Sequence, residues 1–123
     1  MLQISPEKIA HIIIRVREYG SGLDPWAHSG GRVQHGIRSE LHDFIANLNE
    51  DEQASMVAVM WIGRDTFGAE DLAEAILTAK RERRTPTEDY LLGEPRLADM
   101  LEAGLEALGI SPEDAEDDVI RPV

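Results

Sequence analysis

Residues Asn49 to Ile62 set the tightest limit on what this chain can fold into. Asn49 stands three residues before Glu52, the spacing at which one side chain caps a helix start and the other reaches back to it. Glu50, Asp51 and Glu52 place negative charge at the positive end of that helix. From Met56 to Ile62 every residue is apolar. A helix carrying that run has no polar face over about two turns, so other elements must enclose it. The expectation is an all-α, compact bundle of about five or six short helices with the helix at residues 50–63 in the centre. Trp61 is its largest side chain, and truncating it to alanine in a buried setting costs about 3 to 5 kcal/mol.

The surrounding helices follow from period and punctuation. Ser5 before Pro6 starts the first, with Ile9, Ile12, Ile13, Val16 and Tyr19 on its inner face and Gly20 at its end. The β-branched run Ile12 to Ile14 also suits a strand. The cap and the three-to-four spacing favour helix. Residues 20–36 hold five glycines, one proline and two serines, which predicts a loop. A second helix is expected from about Ile37, with Leu41, Phe44, Ile45 and Leu48 inward. A fourth spans about Ala69 to Arg84, burying Leu72, Ile76 and Ala79. Its early acids and late Lys80, Arg81, Arg83 and Arg84 match the helix dipole. Residues 111–123 contain five acids and one arginine, which predicts a flexible acidic tail after a single domain at 1–110.

Between these lies a helix, a stop and a second helix. Thr85-Pro86-Thr87-Glu88 has capping-box spacing with proline at the first helical position. Gly93 is placed to close the helix in the left-handed conformation, and Pro95 opens the next one. Leu97, Leu101, Leu105 and Leu108 then form an apolar stripe that Met100, Ala103, Gly104 and Ala107 widen, leaving Asp99, Glu102 and Glu106 as a narrow acidic face. A basic partner such as the Lys80 to Arg84 cluster would relieve the repulsion between those acids.

The Tyr90-Leu91-Leu92-Gly93 element, with Pro95, Leu97, Ala98, Asp99 and Gly104-Leu105 after it, resembles the bacterial domain-of-unknown-function 3775 family. Leu2-x-Ile4-Ser5-Pro6-Glu7-Lys8 resembles that family's opening, and Leu48 to Gln53 with Trp61-x-Gly63-Arg64 resembles its middle. The resemblance spans most of residues 2–109. It implies no catalytic or binding residue, because the family's function is itself unknown.

Composition excludes several chemistries. With no cysteine there is no disulfide, thiol nucleophile or thiolate metal site. No run approaches the roughly 20 apolar residues of a membrane span, and no export signal opens the chain, so a cytoplasmic setting is expected. Twenty-four acids against 12 bases give a net charge of −12, which repels phosphate backbones at long range and argues against nucleic-acid binding.

Two constellations remain to be weighed. His28, His35 and His42 recur every seven residues, and the loop at 20–36 could bend them toward one metal ion with Asp24 or Asp43. On a continuous helix the same spacing separates them by about 10.5 Å per step, and solvated surface histidines explain them more simply. The acids Asp99, Glu102 and Glu106 share a face, but a solvated stripe accounts for them as well as catalysis does. No nucleophile, base and orienting group assemble, so no catalytic residue and no cofactor is assigned and an enzyme is not expected.

The expected function is a non-enzymatic protein-interaction module or homo-oligomer, its partner another protein or a second copy of itself. The broad apolar surface with Leu97, Met100, Leu101 and Leu105 is its expected interface. The alternative is a small-ligand or metal-binding protein using residues 20–42, with Trp26, His28 and His35 at its mouth. A further alternative is an acidic mimic of nucleic acid.

Overall fold

The computed structural model describes residues 2–20, 30–83 and 86–120, and these contain seven α-helices and no strand. They are α1 (Pro6–Gly20), α2 (Gly30–Ala46), α3 (Glu50–Gly63), α4 (Leu72–Arg81), α5 (Thr87–Leu92), α6 (Leu97–Ala107) and α7 (Pro112–Ile120). The all-α bundle expected from the pattern is therefore the fold.

The central helix forms as its sequence dictates. Asn49 Oδ1 accepts the Glu52 N–H at 2.8 Å, and Glu52 Oε1 accepts the Asn49 N–H at 3.1 Å, closing the capping box. Every residue from Gln53 to Ile62 is buried. Its two buried polar residues are both satisfied: Gln53 Nε2 donates to the Ile45 carbonyl at 2.9 Å, and Ser55 Oγ accepts the Gln3 N–H at 3.1 Å. Polar groups so partnered carry no desolvation penalty that would expel them from the core.

Enclosure comes mainly from three helices, α6, α4 and α5. Helix α3 packs mainly on α6 and α4, while α1 packs on α7, α6 and α2, and α2 on α5. Ile9, Ile12 and Ile13 of α1, Leu41 and Ile45 of α2, Leu72 and Ile76 of α4, Leu91 of α5, and Leu97, Leu101 and Leu105 of α6 complete one core with α3. The side chains of Tyr19 and Ile37 lie outside the described residues.

Glycine sets the closest approach. A methyl at Gly104 would stand 2.1 Å from the Val59 carbonyl oxygen, and one at Gly63 would stand 1.8 Å from the Met100 carbonyl oxygen. Backbones of α3 and α6 therefore touch directly at two points about one helical turn apart, where no side chain fits.

Several expectations are corrected. Helix α2 begins at Gly30 rather than near Ile37, so the Gly-rich segment is helical from 30 onward, and residues 21–29 lie outside the described residues. Its glycines each oppose helix by roughly 1 kcal/mol, but burial of Leu41 and Ile45 downstream anchors the helix on the core. The fourth helix is shorter than expected, a 3-10 turn at Ala69–Asp71 leading into α4. Helix α5 starts at Thr87 with Pro86 as its cap, and Thr85 lies outside the described residues. Gly93 keeps a right-handed φ of −76°; the left-handed positions are Asp65 (φ 66°) and Gly109 (φ 79°).

The acidic C-terminal segment is corrected too, since residues 112–120 form α7 against α1 instead of a flexible tail. Pro112 and Ala115 are buried there. Arg17 of α1 reaches Glu116 at 3.5 Å, which offsets the charge that made this segment look unable to pack.

Candidate functional site

Helices α3, α4 and α5 meet around a cleft of about 300 Å³ lined by Val57, Trp61, Ala79, Glu82, Arg83, Thr87 and Tyr90. Each wall has a local cause. The apolar run of α3 turns Val57 and Trp61 outward on the side that α6 does not cover. Ala79, a small residue one turn before the end of α4, leaves the space open. The break after α4 brings the chain back at Thr87, whose side of α5 is buried, while Tyr90 on the next turn stays 40% exposed.

The floor is rigid. Trp61 Nε1 donates to Tyr90 Oη at 2.9 Å, and the Trp61 ring stacks on Phe67 with centroids 5.7 Å apart. Burying an indole with its N–H satisfied avoids a loss of roughly 1 to 3 kcal/mol. Tyr90 and Trp61 are 29 residues apart in the chain, and both were singled out from sequence only as fold residues. A hydrogen bond across that separation leaves no trace in local spacing.

The cleft carries one base and one acid among its lining residues, Arg83 and Glu82. Lys80, beside the cleft, is tied to Asp51 by an ion pair. Arg83, in contrast, makes no ion pair among the described residues, although it lines the cleft. Glu82 is the one carboxylate lining the cleft among the described residues.

The sequence-predicted site residues fall elsewhere. Leu97, Leu101 and Leu105 are at most 1% exposed, because α6 is covered on two sides by α3 and α1. Nothing of them is left to meet a partner, which corrects their assignment as an interface. Met100 is half-buried and borders a shallow hollow with Arg64, Arg96 and Ala103. His42 stands 3.6 Å from Asp89 and 4.0 Å from Glu88 across the α2–α5 contact. His28 lies outside the described residues, as does the side chain of His35. No group of three histidine, aspartate or glutamate side chains able to hold a metal occurs among the described residues.

The acidic face of α6 has a partner, though not the one expected. Arg17 forks onto Glu102 at 2.7 and 2.8 Å and reaches Asp99 at 3.3 Å. Hydrogen bonding from Arg17 holds the Glu102 carboxyl below its usual range and raises Arg17 in turn. Burial, with the Glu102 charge beside it, pushes Glu116 up. These groups tie α1, α6 and α7 together, and their mutual pairing accounts for the stripe as structure.

Among curated proteins nothing matches the chain, and among solved structures nothing matches either. A family model described as a protein of unknown function, DUF3775, matches residues 38–110. That stretch runs from α2 through the end of α6 and includes every residue lining the cleft. The match covers more than half of the 123 residues, and the chain belongs to the DUF3775 family.

Proposed function

We propose that this protein works by binding rather than by catalysis, as a protein-interaction module that receives a segment of a partner protein in the α3–α4–α5 cleft. One observation carries the reading: a mostly apolar cleft with a hydrogen-bonded Trp61–Tyr90 floor and, at its edge, an Arg83 that makes no ion pair among the described residues. Such a site, mostly apolar with a few directed polar groups, suits recognition. Self-association through α6 loses its motive, because the core uses that face. No described helix is long and apolar enough to cross a membrane, and within this reading the module acts in the cytoplasm.

Filling the cleft tests the reading. The full chain and its Ala79→Trp variant, each tagged and purified from the native cell, are compared with Leu77→Ser, which alters the exposed outer face of α4. A stoichiometric partner recovered with the parent and with Leu77→Ser, and lost with a folded Ala79→Trp, supports the proposal. A partner retained equally by Ala79→Trp refutes it. The volume of the cleft, at the lower end of small-molecule sites, favours a second reading in which it holds a small ligand. Stabilisation of the purified protein by a small-molecule panel, with no protein recovered, would select that reading.

A further inference from the structure

The hydrogen-bond polarity of the cleft narrows the kind of segment that fits it. An indole N–H can only donate, so in the Trp61–Tyr90 bond the tyrosine oxygen is the acceptor. The phenol therefore keeps its own proton for another acceptor, and no described residue supplies one. Arg83 offers only donors and has no carboxylate partner among the described residues. The aromatic and aliphatic walls of Val57, Trp61 and Ala79 ask for an apolar body. Two exposed donors with no acceptor among the described residues, beside an apolar space, describe the complement of a carboxylate attached to a large apolar side chain.

Resting on the interaction module proposed above, we infer that the cleft takes the C-terminal residue of a partner protein, its apolar side chain against Trp61 and its terminal carboxylate between Tyr90 Oη and Arg83. A space of about 300 Å³ holds little more than one large residue, so both groups belong on the same residue. A chain terminus meets this requirement, and backbone carboxylate capture is a known mode of peptide recognition. Charge-assisted bonds from a guanidinium and a phenol to a carboxylate are stronger than neutral ones. The net charge of −12 slows the approach of an anion, and within a Debye length of about 8 Å Arg83 and Glu82 act in opposite senses, so direct hydrogen bonding from Arg83 and Tyr90 has to decide the bound state. Glu82 on the rim is the one group that would favour a cation instead, so the test includes one.

The full chain carrying Trp26→Phe reports through Trp61 as its only tryptophan. It is titrated with a glycine-serine peptide ending in phenylalanine, as the free acid and as the C-terminal amide, and with 3-phenylpropionate and 3-phenylpropylamine. The free-acid peptide is expected to change Trp61 emission saturably and to bind at least ten times more tightly than its amide. Arg83→Gln, folded by circular dichroism, is expected to shrink that ratio several-fold while leaving the amide's affinity in place. Equal binding of acid and amide overturns the inference but leaves the cleft as an apolar docking site. Tighter binding of the amine overturns it in favour of Glu82. Free 3-phenylpropionate binding as tightly as the peptide overturns the chain-terminus source, and no saturable change with any probe removes both the inference and the cleft reading beneath it.

Discussion

Replacing Gly104 by alanine sets two effects against each other, and the geometry says which wins. Helix propensity alone favours the change by roughly 1 kcal/mol, since Gly104 lies inside α6. The added methyl, however, would stand 2.1 Å from the Val59 carbonyl oxygen, 2.8 Å from Val59 Cγ1 and 3.0 Å from the Val59 carbonyl carbon. The first contact falls about 0.9 Å inside the 3.0 Å below which such approaches do not occur. A backbone carbonyl in a helix cannot rotate aside, so α3 and α6 must separate. A gap of 0.5 to 1 Å forfeits about a quarter to a half of each dispersion contact along the seam. Overpacking costs typically about 1 to 3 kcal/mol, and backbone on the opposing side puts this site at the upper end. The net expectation is a loss of about 2 kcal/mol, or roughly 6 to 10 °C in Tm for a chain of this size.

Urea unfolding followed by circular dichroism measures it, with Gly36→Ala as the control. At Gly36 nothing lies within 4 Å of an added methyl and the residue is exposed in α2, so the same substitution should gain about 1 kcal/mol. The two variants should move in opposite directions. Gly63→Ala, whose methyl would stand 1.8 Å from the Met100 carbonyl oxygen, should behave like Gly104→Ala. Because both spread the same helix pair, their double variant should lose less than the sum. A Gly104→Ala protein as stable as the parent would refute the backbone-contact argument.

Other expectations follow from single contacts. Tyr90→Phe removes the acceptor of the Trp61 N–H and should cost about 1 kcal/mol, near the lower bound for an unsatisfied donor because water can enter beside an exposed residue; chemical denaturation reads this directly. Asn49→Ala removes the Oδ1 that accepts the Glu52 N–H while leaving the backbone half of the α3 capping box in place, and should lose about 1 kcal/mol, with unchanged stability counting against the cap. The carboxyls give opposite pH signs. Glu52, held below its ordinary range first by Lys8, and Glu102, held down by Arg17, contribute stability that is present above the ordinary carboxylate range and lost as pH falls through their folded values. Glu116, raised by burial, contributes stability present below that range and lost as pH rises through its folded value. Glu116→Gln should therefore raise Tm at pH 7 relative to the parent and converge with it at acid pH; a lower Tm at pH 7 would reverse the assignment.

The central helix was legible because two independent local signals, the Asn49–Glu52 box and the unbroken apolar run to Ile62, coincide on one segment. The start of α2 was not, because Gly30, Gly31 and Gly36 lower local propensity while the anchors Leu41 and Ile45 lie further along. Helix α7 was hidden in the same way, since its acids read as repulsion until Arg17, nearly a hundred residues earlier, pairs with Glu116. The α6 stripe was read correctly as apolar and incorrectly as spare. Counting apolar residues on one helix does not reveal that two neighbours divide its circumference. The cleft itself depends on Trp61 and Tyr90 meeting across 29 residues, a pairing that no periodicity encodes.

The enclosure of α3 also governs how the molecule opens. A segment buried from Gln53 to Ile62 cannot fray into solvent while its neighbours stay in place. Its amide protons should exchange with deuterium only when the whole domain unfolds, so their protection factors gauge global stability, whereas amides of α7 and of the short α5 report smaller local excursions.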